Sequence, residues 1–264
     1  MAVKGFDRYK KLFKNISNWQ EYVFNKGQRK KRPLKFVTRF NPIHFEVPAS
    51  IYQIFKEIFM ADVYKVDNLI SKLPSNPLII DIGANAGYFN VLVFSKLKDA
   101  RVLAYEPLPS NIAQFRKIIE ENNLSEKIQL EQVAVTGLPI PMLELFTENT
   151  TDNSVIASVF SEFDERNTKK LQVPAKSLTA IINDNDLQHV DLLKLDCEGS
   201  EYDILYNTSL DILNRVKMII VEVHEIDDKK NNLKSLTSFL HSCGYKTNAD
   251  MINKTNFILE GIKE

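Results

Sequence analysis

Two acids and two glycines pose the first chemical question in this chain. Asp81 opens the string DIGANAG, Gly83 and Gly87 follow it, and Glu106 closes VLAYEP about twenty residues later. An apolar run ending in an acid, a glycine turn, and a second apolar run ending in an acid are the layout of a nucleoside-binding βαβ unit. The glycines would let backbone approach a ligand where a side chain would collide. Glu106 would accept hydrogen bonds from both hydroxyls of a ribose, which must then carry no phosphate. The spacing D-x-G-x-x-x-G is not the dinucleotide pattern G-x-G-x-x-G, and Asp81 would repel a pyrophosphate. A cationic or amine-bearing ligand suits that position instead. Asn85 and Tyr88, in the same turn, offer a polar and a stacking contact, and Tyr88 serves equally well as a cap on the core.

S-adenosylmethionine carries both a sulfonium and an α-ammonium, and DIGANAG resembles motif I of the Rossmann-like methyltransferases. Together with YEPLPSN, DLLKLDCEGSE (residues 191–201) and MIIVEVHE (residues 218–225), it is similar to the FkbM family of S-adenosylmethionine-dependent methyltransferases. The K-x-D-x-E-G-x-E string is the specific part, and the resemblance spans roughly residues 76–224. It implies S-adenosyl-L-methionine as cofactor, held around Asp81, Gly83, Asn85, Gly87, Tyr88 and Glu106. It also implies O-methyl transfer to a hydroxyl of a sugar, glycan or secondary-metabolite precursor, an inference by analogy.

Methyl transfer to an alcohol is an in-line displacement that gains from alignment, and an alkyl hydroxyl still benefits from a base. The acids and the histidine near the strand ends are the candidates. Asp196 is the first choice for touching cofactor or acceptor. His224, with an ordinary pKa of about 6.5, suits base duty, and serves equally well as a hydrogen-bonded strand-end residue. Glu198 and Glu201 are favoured near a helix start by the macrodipole with no chemistry at all; the match of the whole KLDCEGSE string raises Glu198 above that reading. Side chains that alternate along a strand end give Asp196 and Glu198 no convincing oxygen cage, so no metal is expected. Lys194 and Glu222 lie inside apolar strands and need partners. Lys194 is expected to bridge Asp81 and Glu222 and so to organise the pocket.

The elements that must position these residues follow the regular alternation of a parallel α/β sheet. Strands are expected at residues 78–81, 101–106, 128–135, 190–196 and 218–224, with a closing pair at 245–249 and 255–260. The first helix should run over 88–98, Ser110 should cap the second, and Ser200 with Asp203 should cap the helix after KLDCEG. The sum resembles the seven-stranded, mostly parallel methyltransferase sheet with its antiparallel last strand, over residues 76–264. Residues 1–75 read as an accessory cap: one amphipathic helix over 6–24, a basic loop, a hairpin across Asn41 and Pro42, and a helix with Ile51, Ile54, Phe55 and Ile58 on one face. Residues 136–190 are too long for an ordinary connection, and 149–158 suits either an acceptor-binding lid or a plain surface hairpin.

Composition narrows the classes. With 264 residues and 44% hydrophobic content the chain can bury a full core. No apolar run approaches bilayer length and the N-terminus lacks a secretory h-region, so a cytoplasmic protein is expected. Cys197 and Cys243 lack metal or disulfide spacing and read as small core residues. Net charge is zero, yet residues 1–40 hold twelve lysines and arginines against Asp7 and Glu21, a net of +10, leaving −10 on the remaining 224. That segregation fits either an anionic partner, such as a membrane surface touched peripherally, or a solvated charged face. Nucleic acid is disfavoured, because the aromatics near the N-terminus have core spacing. A non-catalytic methyltransferase-like module tethered through the basic arm is the alternative to an enzyme, and the glycine spacing disfavours an NAD-dependent oxidoreductase.

Overall fold

Alternation along each central strand sorts its side chains onto two cores. Ile79, Leu192 and Ile220 belong to one apolar cluster, whereas Ile80, Ile82, Leu193, Leu195, Ile219 and Val221 belong to another. The computed structural model describes residues 3, 5–147, 157–158 and 169–263.

In chain order, α1 (Asp7–Asn15), α2 (Gln20–Asn25), β1 (Leu34–Val37), β2 (His44–Val47), α3 (Tyr52–Lys56) and α4 (Val66–Ile70) precede the first sheet strand, with a π turn at Glu57–Ala61 after α3. Then come β3 (Leu78–Ile82), α5 (Tyr88–Phe94), β4 (Arg101–Tyr105), α6 (Pro109–Glu121), β5 (Ile128–Glu131), β6 (Ala134–Thr136), β7 (Met142–Thr147), β8 (Ala157–Ser158), β9 (Lys169–Ser177) and α7 (Leu178–Asp184). The chain closes with β10 (Leu192–Leu195), α8 (Glu201–Tyr206), α9 (Leu210–Leu213), β11 (Met218–His224), α10 (Leu233–Ser242), β12 (Lys246–Met251) and β13 (Asn256–Ile262). Among the described residues the main sheet has seven strands in the order β12-β13-β11-β10-β3-β4-β5. From β11 to β5 all neighbours are parallel, and β13 runs antiparallel to both β11 and β12.

Several local expectations change. Residues 6–24 do not form one helix: Ile16 takes an extended conformation after α1 and bridges Thr38. Residues 128–135 divide between two sheets, β5 ending the main one while β6 pairs with β9 in the order β6-β9-β7-β8. Both halves are extended and apolar, so periodicity alone cannot show the break. The first helix of the sheet stops at Phe94, not Lys98. Ser110 lies inside α6, which opens at Pro109. Ser200 makes no side-chain cap, and Asp203 turns away to accept from Gly137 N at 2.8 Å. Side-chain caps are made by Ser177 on α7 and Asn232 on α10.

The predicted hairpin forms, with Leu34 opposite Val47. The described residues before β3 pack onto the sheet's helices: Phe36, Phe45, Phe55 and Phe59 share a cluster with Phe89, Phe94 and Phe115. The basic arm is partly neutralised by its own chain, Lys11 pairing with Asp62, Lys14 with Asp67 and Arg32 with Glu21. No helix among the described residues is long and apolar enough to cross a membrane.

Candidate active site

Strand register brings the charged residues together. Lys194 lies directly opposite Asp81 on the neighbouring strand, and both share the face that the N-terminal elements cover. Two residues beyond Lys194 on the same face comes Asp196; on the next strand Glu222 and His224 follow Ile220 in the same way. All three reach a cavity of about 730 Å³ at the carboxyl ends of β3, β4, β10 and β11. Gln53, Glu57 and Tyr64 form one wall, Asn85, Glu106 and Asn111 another, and Val135, Leu143 and Leu145 of the second sheet also line it.

Lys194 lies at the inner end of this group and pairs with Asp81 as expected, while Asp196 stands where Glu222 was expected. Its Nζ stands 3.0 Å from Asp81 Oδ1 and 3.5 Å from Asp196 Oδ2, and donates to the Gly83 carbonyl at 2.8 Å. Burial alone would lower the ammonium pKa, but the carboxylates of Asp81 and Asp196 outweigh it and raise it. Glu222 is reached through Tyr64 instead: the phenol lies 2.7 Å from Asp196 Oδ2 and 3.2 Å from Glu222 Oε2. Tyr64 carries no motif, and only its place at the end of the N-terminal segment could have hinted at its role.

His224 is buried among acids. Its Nδ1 stands 3.2 Å from Glu201 Oε1, and its Nε2 lies 3.3 Å from Glu198 Oε2 and 3.8 Å from Glu222 Oε1. Burial would lower its pKa, but the hydrogen bond and charge of Glu201, with Glu198 and Glu222, push it up to about 10. The acidic surroundings, not an ordinary imidazole environment, set the chemistry of this ring. Burial, then the charges of Asp196, Glu201 and Glu57, raise Glu198 to about 7 against the lowering effect of His224. Burial and Asp196 likewise raise Glu222 above the usual carboxylate range. Glu201, fully buried, is held by Gly199 N at 2.8 Å and faces His224. Cys197 is likewise raised, by burial and then by Glu201, which leaves a thiol and no nucleophile.

Glu198 does not follow the alternation of the strand. β10 ends at Leu195, and Glu198 has a φ of 50°, so its side chain departs from the pleat. Ligand atoms of Asp196, Glu198 and His224 all lie within 4.8 Å of one another.

The glycine turn works differently from expectation. A Cβ on Gly83 would come 1.8 Å from the Asp196 carbonyl oxygen, and one on Gly87 would come 2.2 Å from the Phe115 ring. Both glycines have positive φ, and they make room for the protein's own packing. Asp81 has no exposed surface: besides Lys194 it accepts from Asn90 Nδ2 at 2.6 Å, and it does not line the cavity. Tyr88 points into the N-terminal aromatic cluster, its hydroxyl donating to the Glu46 carbonyl. The cavity thus receives Gly83, Asn85 and Glu106 of the expected cofactor group, with Asp196, Glu198 and His224 of the expected catalytic group.

Residues 81–247 match the family model of the methyltransferase FkbM domain. The chain belongs to the FkbM methyltransferase family. It is a methyltransferase, and its methyl donor is S-adenosylmethionine. Similar curated proteins are methyltransferase sdnD of Sordaria araneosa, 27% identical over 207 residues covering 69% of this chain and 78% of that one. Methyltransferase 1 of Beauveria bassiana strain ARSEF 2860 is 28% identical over 211 residues, covering 73% and 80%. Among solved structures, the FkbM methyltransferase of Methylobacillus flagellatus KT aligns with a TM-score of 0.49 and 15% identity, over 71% of this chain and 44% of that one.

The cavity of this FkbM methyltransferase fits the donor in size and chemistry. Its volume lies within the range of small-molecule and cofactor sites. Glu106 is fixed in the wall: Oε1 accepts from Leu108 N at 2.9 Å and Asn111 Nδ2 at 3.2 Å, and Oε2 accepts from Asn85 N at 2.9 Å. Among the described residues these three bonds leave part of the carboxylate's acceptor capacity for a ribose. Asp196 lines the cavity and Asp81 does not.

Proposed function

We propose that this enzyme transfers a methyl group to a hydroxyl oxygen on a sugar, glycan or secondary-metabolite precursor. The observation that carries the reading is the shared cavity: Glu106, Asn85 and Gly83 line it together with the carboxyl groups of Asp196, Glu198 and Glu222. When bound, S-adenosylmethionine supplies an electrophilic methyl group. The chain's own work is to hold the acceptor in line and to take its proton. Glu222 is the proton acceptor in this reading, kept at the cavity by Tyr64 and by Asn256 Nδ2 at 3.3 Å. Positive charge entering the cavity favours the ionised forms of Glu222 and Glu198. The acceptor enters beside Gln53, Glu57 and Tyr64, which gives the N-terminal 75 residues a part in its recognition. The expected acceptor loop, 149–158, lies outside the described residues except for the backbone of β8.

The test is deuterated methyl transfer from labelled S-adenosylmethionine to parallel panels of hydroxyl, amine and activated-carbon acceptors, read by mass spectrometry. A methyl ether, formed at least about tenfold more slowly by Glu222→Gln, supports the proposal. Label found on nitrogen or carbon alone would reject it.

A further inference from the structure

We propose that Asp196, Glu198 and His224 bind a divalent cation of the Mn²⁺ kind, and that this cation holds the hydroxyl oxygen of the acceptor. The ligand role is independent of the methyl-transfer reading; the acceptor role rests on it.

Geometry carries the first step. The three donor atoms lie within 4.8 Å of one another, and His224 Nε2 and Glu198 Oε2 are 3.3 Å apart. In an octahedral shell with bonds of about 2.1 Å, adjacent donors stand about 3.0 Å apart and opposite ones about 4.2 Å. Small side-chain adjustments therefore close the shell on three donors and leave positions open.

The surroundings carry the second. A metal-binding histidine generally gives its other ring N–H to a carboxylate, which fixes the tautomer and aims the free nitrogen. Glu201 does this: it is fully buried, held by Gly199 N and the His224 backbone N–H, and faces His224 Nδ1 at 3.2 Å. With Nδ1 turned to Glu201, Nε2 is the ring atom that faces Glu198, at 3.3 Å. Tyr64 orients Asp196 in the same manner, through Oδ2. Neither feature belongs to a cluster of acids that merely share a surface.

Charge carries the third. Asp196, Glu198 and Glu222 line this cavity together, with Glu201 buried behind His224, and Lys194 beside Asp196 is the lysine that faces them. Buried carboxylates in excess of cations are costly, and a divalent ion offsets them. Two carboxylates and one imidazole with open positions suit Mn²⁺ among common divalent ions. Such an ion acidifies a hydroxyl beside it, whose proton passes to Glu222 as the O–H bond breaks.

The experiment is Mn²⁺ titration of the chelator-treated full chain, followed by calorimetry and by pulsed electron paramagnetic resonance, with neither methyl donor nor acceptor present. One Mn²⁺ per chain is expected, with hyperfine coupling to a ring nitrogen. Glu198→Gln should weaken binding by at least about tenfold, and Glu201→Gln by about 10–100-fold, since it removes the support behind His224. Glu57→Gln, in the same cavity but outside the donor set, should stay within about threefold of the wild type. Circular dichroism checks the fold of each variant. Absence of saturable binding, absence of nitrogen coupling, or equal weakening by Glu57→Gln and Glu198→Gln would overturn the site. None of these outcomes bears on whether methyl ethers form, so the two proposals fail separately.

Discussion

Replacing Lys194 by methionine removes the cation on which the inner end of the site depends. Asp81 Oδ1 is buried and has no hydrogen-bond partner among the described residues, so the ion pair with Lys194 at 3.0 Å is what compensates it. Methionine fills similar volume but leaves a buried charge exposed to no counter-charge, and frees the Gly83 carbonyl of its donor. Breaking a buried pair on one side costs about 3–5 kcal/mol. At 1.4 kcal/mol per decade, that multiplies the unfolding constant by more than about a hundred. Urea unfolding followed by circular dichroism reads the change directly. The double variant Asp81→Asn/Lys194→Met should recover part of the loss, because two neutral groups then share the site. A single variant within about 1 kcal/mol of the wild type would refute the reasoning, and so would a double variant no better than the single.

Other expectations are open to simple measurement. Burial would raise the Asp67 carboxyl, but Lys14 and Lys96 hold it down at about 2, below its ordinary 3.8. Its contribution should therefore be complete above pH 4 and disappear as pH falls toward 2, and Asp67→Asn should flatten the pH dependence of the urea midpoint in that window; identical profiles would contradict the pairing. Gly83→Ala should cost more than about 2 kcal/mol by thermal melting, since its Cβ would strike the Asp196 carbonyl at positive φ; an unchanged melting temperature would contradict the tight approach. Tyr64→Phe removes the hydroxyl between Asp196 and Glu222 and should lower stability by about 1–3 kcal/mol. S-adenosylhomocysteine affinity should change less than methyl-transfer rate, and a rate equal to the wild type would remove Tyr64 from the account.

Much of this was legible because strands and loops with strong local signals carry the chemistry. The apolar runs ending in Asp81, Glu106, Asp196 and His224 defined the parallel strands, and the closing antiparallel pair was visible from its spacing after Gly244. The assignment of roles was harder, because it depends on which face a side chain takes. Asp81 and Lys194 face the N-terminal cluster by alternation and neutralise each other, so the acid at the head of DIGANAG never meets the cavity. The acids that surround His224 are not apparent from its strand, because Glu198 and Glu201 are distant in sequence. The left-handed backbone of Glu198 brings its carboxylate round to His224, and no pattern of residue types announces it. Tyr64 and Glu57 were missed for a related reason: nothing local shows that a segment before the sheet forms a wall of the site.

The methyl donor is expected at the Glu106 end of the cavity, beside the carboxylates proposed to serve the acceptor. Calorimetric titration with S-adenosylhomocysteine, with NAD in parallel, tests it most directly on the wild type and Glu106→Gln. One site per chain for S-adenosylhomocysteine is expected, with at least about tenfold weaker binding in the variant from loss of a charged acceptor, and no heat from NAD. Equal binding of S-adenosylhomocysteine by both proteins, or competition from NAD, would contradict it.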